Sequence, residues 1–425
     1  MSIYKKHTLS NNLRILTIPL ANTKTATILV LVKAGSKNEN KRINGISHFL
    51  EHMFFKGTKK RPVPLDIAKA FDEIGGEYNA FTSQEYTGFY AKVNWQHFYV
   101  ALDLLSDMIL NSKFDKDDIE RERGVIIEEI NMYQDTPMEY ISTLWCKILY
   151  GDQPAGWDIA GAKKTVSKIS RSDMVMYYSN YYIPKNTLIC AAGKLPRDLM
   201  NNITGYFNYK KNYEDINKHI PVKESQEKPQ ILLKYKKTDQ THLMLGVRGY
   251  NMFHKDRFAI KLLSIILGGG MSSRLFMEIR EKKGLAYYIY TKVESDSDTG
   301  FLVSGAGLDN KKVYLAVKII LDEYRKIAIE GVEQKELEKS KEFLKGKMVL
   351  NLESSDEWAN FIASQELLRE EILSLDEIFA KIEKVRVEDI KRVAKDIFID
   401  RKLNLALIGP FKDKYKFEDI LTFAN

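Results

Sequence analysis

The order of elements along this chain is written twice, and that repetition limits the fold more than any single motif does. The first copy opens with an apolar strand, Thr25–Val32, followed by Ile46, Phe49, Leu50, Met53 and Phe54 at helical spacing. A second helix over 64–74 ends at Gly75-Gly76, a C-terminal stop signal. Strand-like segments at 78–81 and 87–93 flank the polar turn Ser83-Gln84-Glu85, and long helical patterns cover 96–110 and 115–132. The second copy runs in the same order: a strand over 241–247, helices over 256–267 and 272–282, strands over 287–293 and 300–306, helices over 311–330 and 334–351. A polar, charged stretch with Pro221 and Pro229 separates the copies. The pattern predicts an α+β protein of two homologous domains, each a mainly antiparallel sheet with helices packed on it. The expected division is 1–212, a linker at 213–230, and 231–425.

Composition narrows the function classes. A chain of 425 residues exceeds one ordinary core, and 44% hydrophobic with 29% charged residues suits a folded, water-soluble protein. No apolar run is long enough to span a bilayer. Lys5, Lys6 and His7 precede a strand-like segment stopped by Pro19, not a signal-type apolar region, so neither a secretory signal nor an organellar presequence is expected. Cys146 and Cys190 lie in apolar surroundings and read as buried free thiols in a reducing, cytoplasmic setting. The net charge of +8 is spread over lysines interleaved with Glu and Asp. No nucleic-acid signature accompanies it, so neither nucleic acid nor membrane is expected as a partner. Gly268-Gly269-Gly270 lacks the Lys and Ser/Thr of a phosphate loop and reads as a helix end.

One constellation carries chemistry: His48-Phe49-Leu50-Glu51-His52. On a helix the two histidines are i and i+4 and share a face, where they can bind one metal ion. Glu51 lies on the same side and can reach an activated water without being a ligand. This is the H-x-x-E-H order. The alternative, a helix with histidines that are merely exposed, is weakened by the five apolar residues already supplying its buried face. A catalytic zinc needs a third protein ligand. The acidic helix over 115–132 offers Glu120, Glu122, Glu128 and Glu129. Glu129, beside Ile126, Ile127 and Ile130, sits where a carboxylate most needs a partner.

These residues resemble the insulinase/pitrilysin superfamily of zinc peptidases, in the short two-domain branch related to processing peptidases. In that family H-x-x-E-H is followed by a metal-binding Glu in an E-x6-E-I helix. Here Glu129 lies 77 residues beyond His52, with Glu122 in the first acidic position. The resemblance implies one zinc per chain held by His48, His52 and Glu129, with Glu51 as general base and Glu122 supporting a ligand. It extends to the segment 75–83, which is similar to the edge strand that pairs with substrate backbone. Asn79, Ala80 and Phe81 are then substrate-binding residues. It also implies that Arg280 and Tyr287, on the second copy, bind substrate carbonyls and the oxyanion.

The implied protein is a metalloendopeptidase acting on extended or unfolded peptides inside a clamshell of two domains. A longer glycine-rich loop, found in non-catalytic processing-peptidase subunits, is absent, which favours a bacterial-type homodimer. The competing expectation is a non-catalytic or partner-dependent structural subunit of the same superfamily.

Overall fold

The computed structural model describes residues 3–209, 219–369 and 371–423. Positions 213–218 of the expected linker, and 210–212 before it, lie outside the described residues. The chain forms two compact units, each built on one sheet.

The first sheet contains β1 (Lys5–Thr8), β2 (Arg14–Pro19), β3 (Thr25–Val32), β4 (Glu77–Thr82), β5 (Thr87–Asn94) and β6 (Thr187–Gly193), in the order β1-β2-β6-β3-β5-β4. Only β2 and β6 pair in parallel. The second contains β7 (Gln230–Tyr235), β8 (Gln240–Arg248), β9 (Ala286–Ser295), β10 (Gly300–Asp309) and β11 (Leu403–Gly409), in the order β7-β11-β8-β10-β9. Here only β7 and β11 are parallel. Apart from the added β1, the two sheets share one topology, as the repeated sequence predicts.

The units do not follow the simple division at 213–230. The first comprises Met1–Asn131, Trp157–Ile220 and Leu350–Ile372; the second comprises Met132–Gly156, Pro221–Val349 and Leu373–Asn425. Two helices at equivalent places in the repeat have been exchanged. The helix Pro137–Tyr150 packs Ile141, Leu144 and Trp145 on Met244, Phe301, Val303 and Ala406 of the second sheet. The helix Ser355–Arg369 packs Ala359, Ile362, Ala363 and Leu367 on Leu16, Leu29, Leu31 and Leu188 of the first. The reason is visible in β3. Ala26, Ile28, Val30 and Val32 enter the main core of the first unit, whereas Leu29 and Leu31 point to the other face. A strand that is apolar on both faces needs two covers. Ser355 completes the seam by bonding its hydroxyl to Thr27 Oγ1 at 2.8 Å.

The main core of the first unit is closed by α1 (Ile46–Met53), α2 (Pro64–Asp72), α3 (Phe98–Asn111) and α4 (Lys116–Asp135). The helix Arg171–Tyr181 packs beside α1, and its Tyr177 hydroxyl meets Ser47 Oγ at 2.8 Å. Asp173 caps that helix by accepting from Ser170 N–H at 3.0 Å, and pairs with Arg42 at 2.6 Å. In the second unit the helix expected over 272–282 is instead a π-helix at Phe276–Lys282. Its wide turn, with Leu285 N–H reaching back to Ile279 O at 2.8 Å, buries Phe276 and Ile279 while leaving Arg280 exposed. Cys190 is buried and Cys146 half-buried, and neither is in a disulfide. Among the described residues no helix is long and apolar enough to cross a membrane.

Two outcomes follow from this packing. Leu31→Ala, which empties a fully buried position under the exchanged helix, should cost about 2–5 kcal/mol in a urea titration. Leu65→Ala, at a 56% exposed position, should stay within about 0.5 kcal/mol. The Arg42 hydrogen bond, aided by Ser170, holds the Asp173 carboxyl down at about 2. Its contribution is therefore present above the ordinary carboxyl value of about 4 and is lost as pH falls through the depressed one. The gap in urea midpoint between wild type and Asp173→Asn should narrow steadily as pH is lowered from about 5 toward 2.

Candidate metal centre

α1 buries Ile46, Phe49, Leu50 and Met53, which leaves His48, Glu51 and His52 on the remaining face. α4 buries Ile119, Glu122, Ile126 and Ile130, a stripe that places one carboxylate among three isoleucines. Between these helices three donor groups converge. His48 Nε2 and His52 Nε2 are 3.3 Å apart. Glu129 brings Oε1 to 3.7 Å from His48 Nε2 and Oε2 to 3.4 Å from His52 Nε2. The imidazole rings meet edge-on, their planes at 70°.

These spacings suit zinc. A tetrahedral ion bonded at about 2.0–2.1 Å separates its ligand atoms by about 3.3–3.4 Å, close to what the three side chains present. Two neutral imidazoles and a carboxylate also form a familiar catalytic donor set, with a fourth position left for water or substrate. His48, His52 and Glu129 are the residues that would hold the ion.

The surroundings explain how the donors are prepared. Glu122 Oε1 accepts from His52 Nδ1 at 2.8 Å, which fixes the tautomer and turns the Nε2 lone pair toward Glu129. Lys56 Nζ binds the other oxygen of Glu122 at 2.6 Å. Burial works against the Glu122 charge, but His52 and Lys56 hold its carboxyl below the usual range. Burial and the neighbouring His52 push His48 down to about 4. Burial also opposes charge on His52, yet its bonds to Glu122 and Glu129 carry it up to about 9. Glu51 is not one of the converging donors. Its Oε2 accepts from Thr82 Oγ1 at 2.6 Å, and burial raises its carboxyl while that bond opposes the rise.

The structure therefore brings His48, His52, Glu129, Glu51 and Glu122 together within the first unit. β4 is an edge strand, paired only with β5 among the described residues. It carries Asn79, Ala80 and Phe81 next to Thr82. Asn79 Oδ1 accepts the N–H of Ala80 at 2.8 Å. Arg280 and Tyr287 belong to the second unit. The Arg280 guanidinium lies 5.0 Å from the Phe276 ring centre, and Tyr287 is 62% exposed. Thr82 and Lys56 were not anticipated as site residues. Lys56 stands four residues beyond His52, in the turn after α1. Thr82 required knowing which face of β4 meets α1.

If Glu122 orients His52, then Glu122→Gln should weaken zinc binding by about 10–100-fold in a chelator competition. An unchanged affinity would show that the bond to Nδ1 is incidental.

Known proteins resemble this chain over nearly its whole length. Residues 14–163 match the family model described as insulinase (peptidase family M16), and residues 168–344 match the one described as peptidase M16 inactive domain. The second match agrees with the helix Arg257–Gly268, which occupies the place of α1 without a His or Glu. An uncharacterized zinc protease of Bacillus subtilis is 36% identical, with 96% of this chain and 98% of that protein aligned. One from Streptomyces coelicolor is 34% identical over 96% and 90%. The crystal structure of a protease from Helicobacter pylori superposes with a TM-score of 0.89 at 27% identity, covering 96% of this chain and 99% of that one. Zinc use and a peptidase role are supported by these relatives, and the chain belongs to the insulinase family of peptidases, M16.

Proposed function

We propose that the protein is a zinc metalloendopeptidase that hydrolyses extended or unfolded peptides, with one zinc per chain. The observation that carries this reading is the convergence of His48 Nε2, His52 Nε2 and Glu129 at ligand spacing, with a non-ligand carboxylate beside them. When bound, zinc would supply the Lewis acidity that activates water and polarises the peptide carbonyl.

The remaining work falls to the chain's own residues. Glu51 takes the proton of the attacking water and delivers it to the leaving amine. Thr82 occupies Glu51 Oε2, which leaves Oε1 as the proton acceptor and fixes the plane of the carboxylate. The free edge of β4 at Asn79, Ala80 and Phe81 can take an extended peptide as an added strand, so that backbone hydrogen bonds give affinity with little sequence demand. The Asn79 carboxamide would have to release Ala80 N–H for that pairing. Arg280 and Tyr287 are proposed to bind substrate carbonyls and the oxyanion, which makes turnover dependent on movement of the second unit. A homodimer completes the proposal. The competing reading, a structural subunit, is disfavoured because every member of the donor set is present.

A quenched-fluorescent extended peptide should be cleaved by the zinc-loaded wild type. Glu51→Gln should lose at least about a hundredfold in kcat while retaining zinc. Absence of cleavage by the wild type over a range of peptides would favour the structural reading. Tyr287→Phe with full turnover would remove Tyr287 from the mechanism.

A further inference from the structure

The two histidines of α1 are prepared by different means. The Nδ1 of His52 is held by Glu122. The Nδ1 of His48 is enclosed and has no hydrogen-bond partner among the described residues. No side chain sets the orientation of its ring through that nitrogen. The position of the His48 donor therefore depends on where the backbone starts α1.

That start is held by one buried side chain. α1 is eight residues long and begins after Gly45, whose φ of 98° lies in the left-handed region and which offers no side chain as a cap. Glu39, 4% exposed, fills the role. Its Oε2 accepts from Gly45 N–H at 2.8 Å and from Asn44 Nδ2 at 3.0 Å, and its Oε1 accepts from Ser47 N–H at 2.9 Å. Ser47 is the residue just before His48, and its hydroxyl is tied to Tyr177. Burial pushes the Glu39 carboxyl up to about 7, against hydrogen bonds from Ser47, Gly45 and Asn44 that favour the anion. A carboxylate at this helix end also complements the helix dipole.

Glu39 is itself anchored. Ser36 and Lys37 donate their N–H groups to Ser83 O and Gln84 O at 3.2 and 2.8 Å. Lys37 Nζ forms a buried ion pair with Glu85 at 3.0 Å. Gly35 crosses the Ser83–Gln84 backbone so closely that any Cβ would collide with it. The strap 35–39 thus runs from the β4–β5 turn to the first turn of α1, while Thr82 and Glu51 close the circuit from the other side.

We propose that Glu39 is a positioning residue of the metal centre, doing for His48 through the backbone what Glu122 does for His52 through Nδ1. The inference rests on the zinc reading above. In the whole chain, Glu39→Gln turns one acceptor into an amide donor facing N–H groups, and Asn44→Ala removes one donor to Glu39 together with the bond from Asn44 Nδ2 to Asp158 O. Zinc affinity by chelator competition should fall about tenfold or more for Glu39→Gln and about threefold for Asn44→Ala. The visible absorption of the cobalt-substituted protein, which reports ligand geometry, should change with it. Circular dichroism and thermal unfolding establish that each variant is folded at the assay temperature. A folded Glu39→Gln with zinc affinity within about twofold of wild type and an unaltered cobalt spectrum, whatever its melting temperature, overturns the proposal. Should Glu39→Gln not fold, an unchanged Asn44→Ala overturns it instead. A wild type that takes up no zinc, or keeps it in His48→Ala, overturns the parent reading rather than this step alone.

Discussion

Everything in this molecule depends on covering two sheets on both faces. β3 is apolar at consecutive positions, so neither of its faces can be left to water. On one side α1–α4 build the larger core. On the other, a helix from beyond residue 350 supplies Ala359 and Ala363, small enough to let it lie close on Leu29 and Leu31. The second sheet receives its second cover from the helix Pro137–Tyr150. The metal centre inherits its rigidity from this arrangement, since α1 and α4 are both fixed on a sheet that is packed from behind.

Gathering charged groups in one place has its own physical demands. Two imidazoles 3.3 Å apart, with Glu129, Glu122 and Glu51 around them, would repel or misalign without counter-partners. Each carboxylate has one: Lys56 for Glu122, Thr82 for Glu51, the imidazoles for Glu129. The chain spends most of its local polar side chains on orientation and few on the ligand shell itself.

Much of this was legible in the sequence. The strand boundaries of Thr25–Val32 fall where the apolar run predicts, and the repeated element order matches two sheets of one topology. The i, i+4 histidines and the isoleucine-flanked Glu129 sit together, as helical periodicity requires. What stayed hidden depends on tertiary partners. The helix Ser355–Arg369 lies beyond the helices read from the sequence, and its apolar residues are too evenly spread around it to mark which sheet it meets. Glu39 stands in the polar stretch 36–42, where no pattern marks it out, and only the fold buries it. The π-helical turn Phe276–Lys282 has the composition of an ordinary helix, so nothing in its residues marks the wider winding.

The helix exchange also bears on how such a chain could have arisen. A half-length ancestor with the same packing would lay the exchanged helix on the sheet of a second copy and receive the matching helix in return. Two such copies would form a domain-swapped pair. Fusion of the two genes would then fix the trade within one polypeptide. It would also free one copy to lose its histidines, while its sheet remained indispensable to the other.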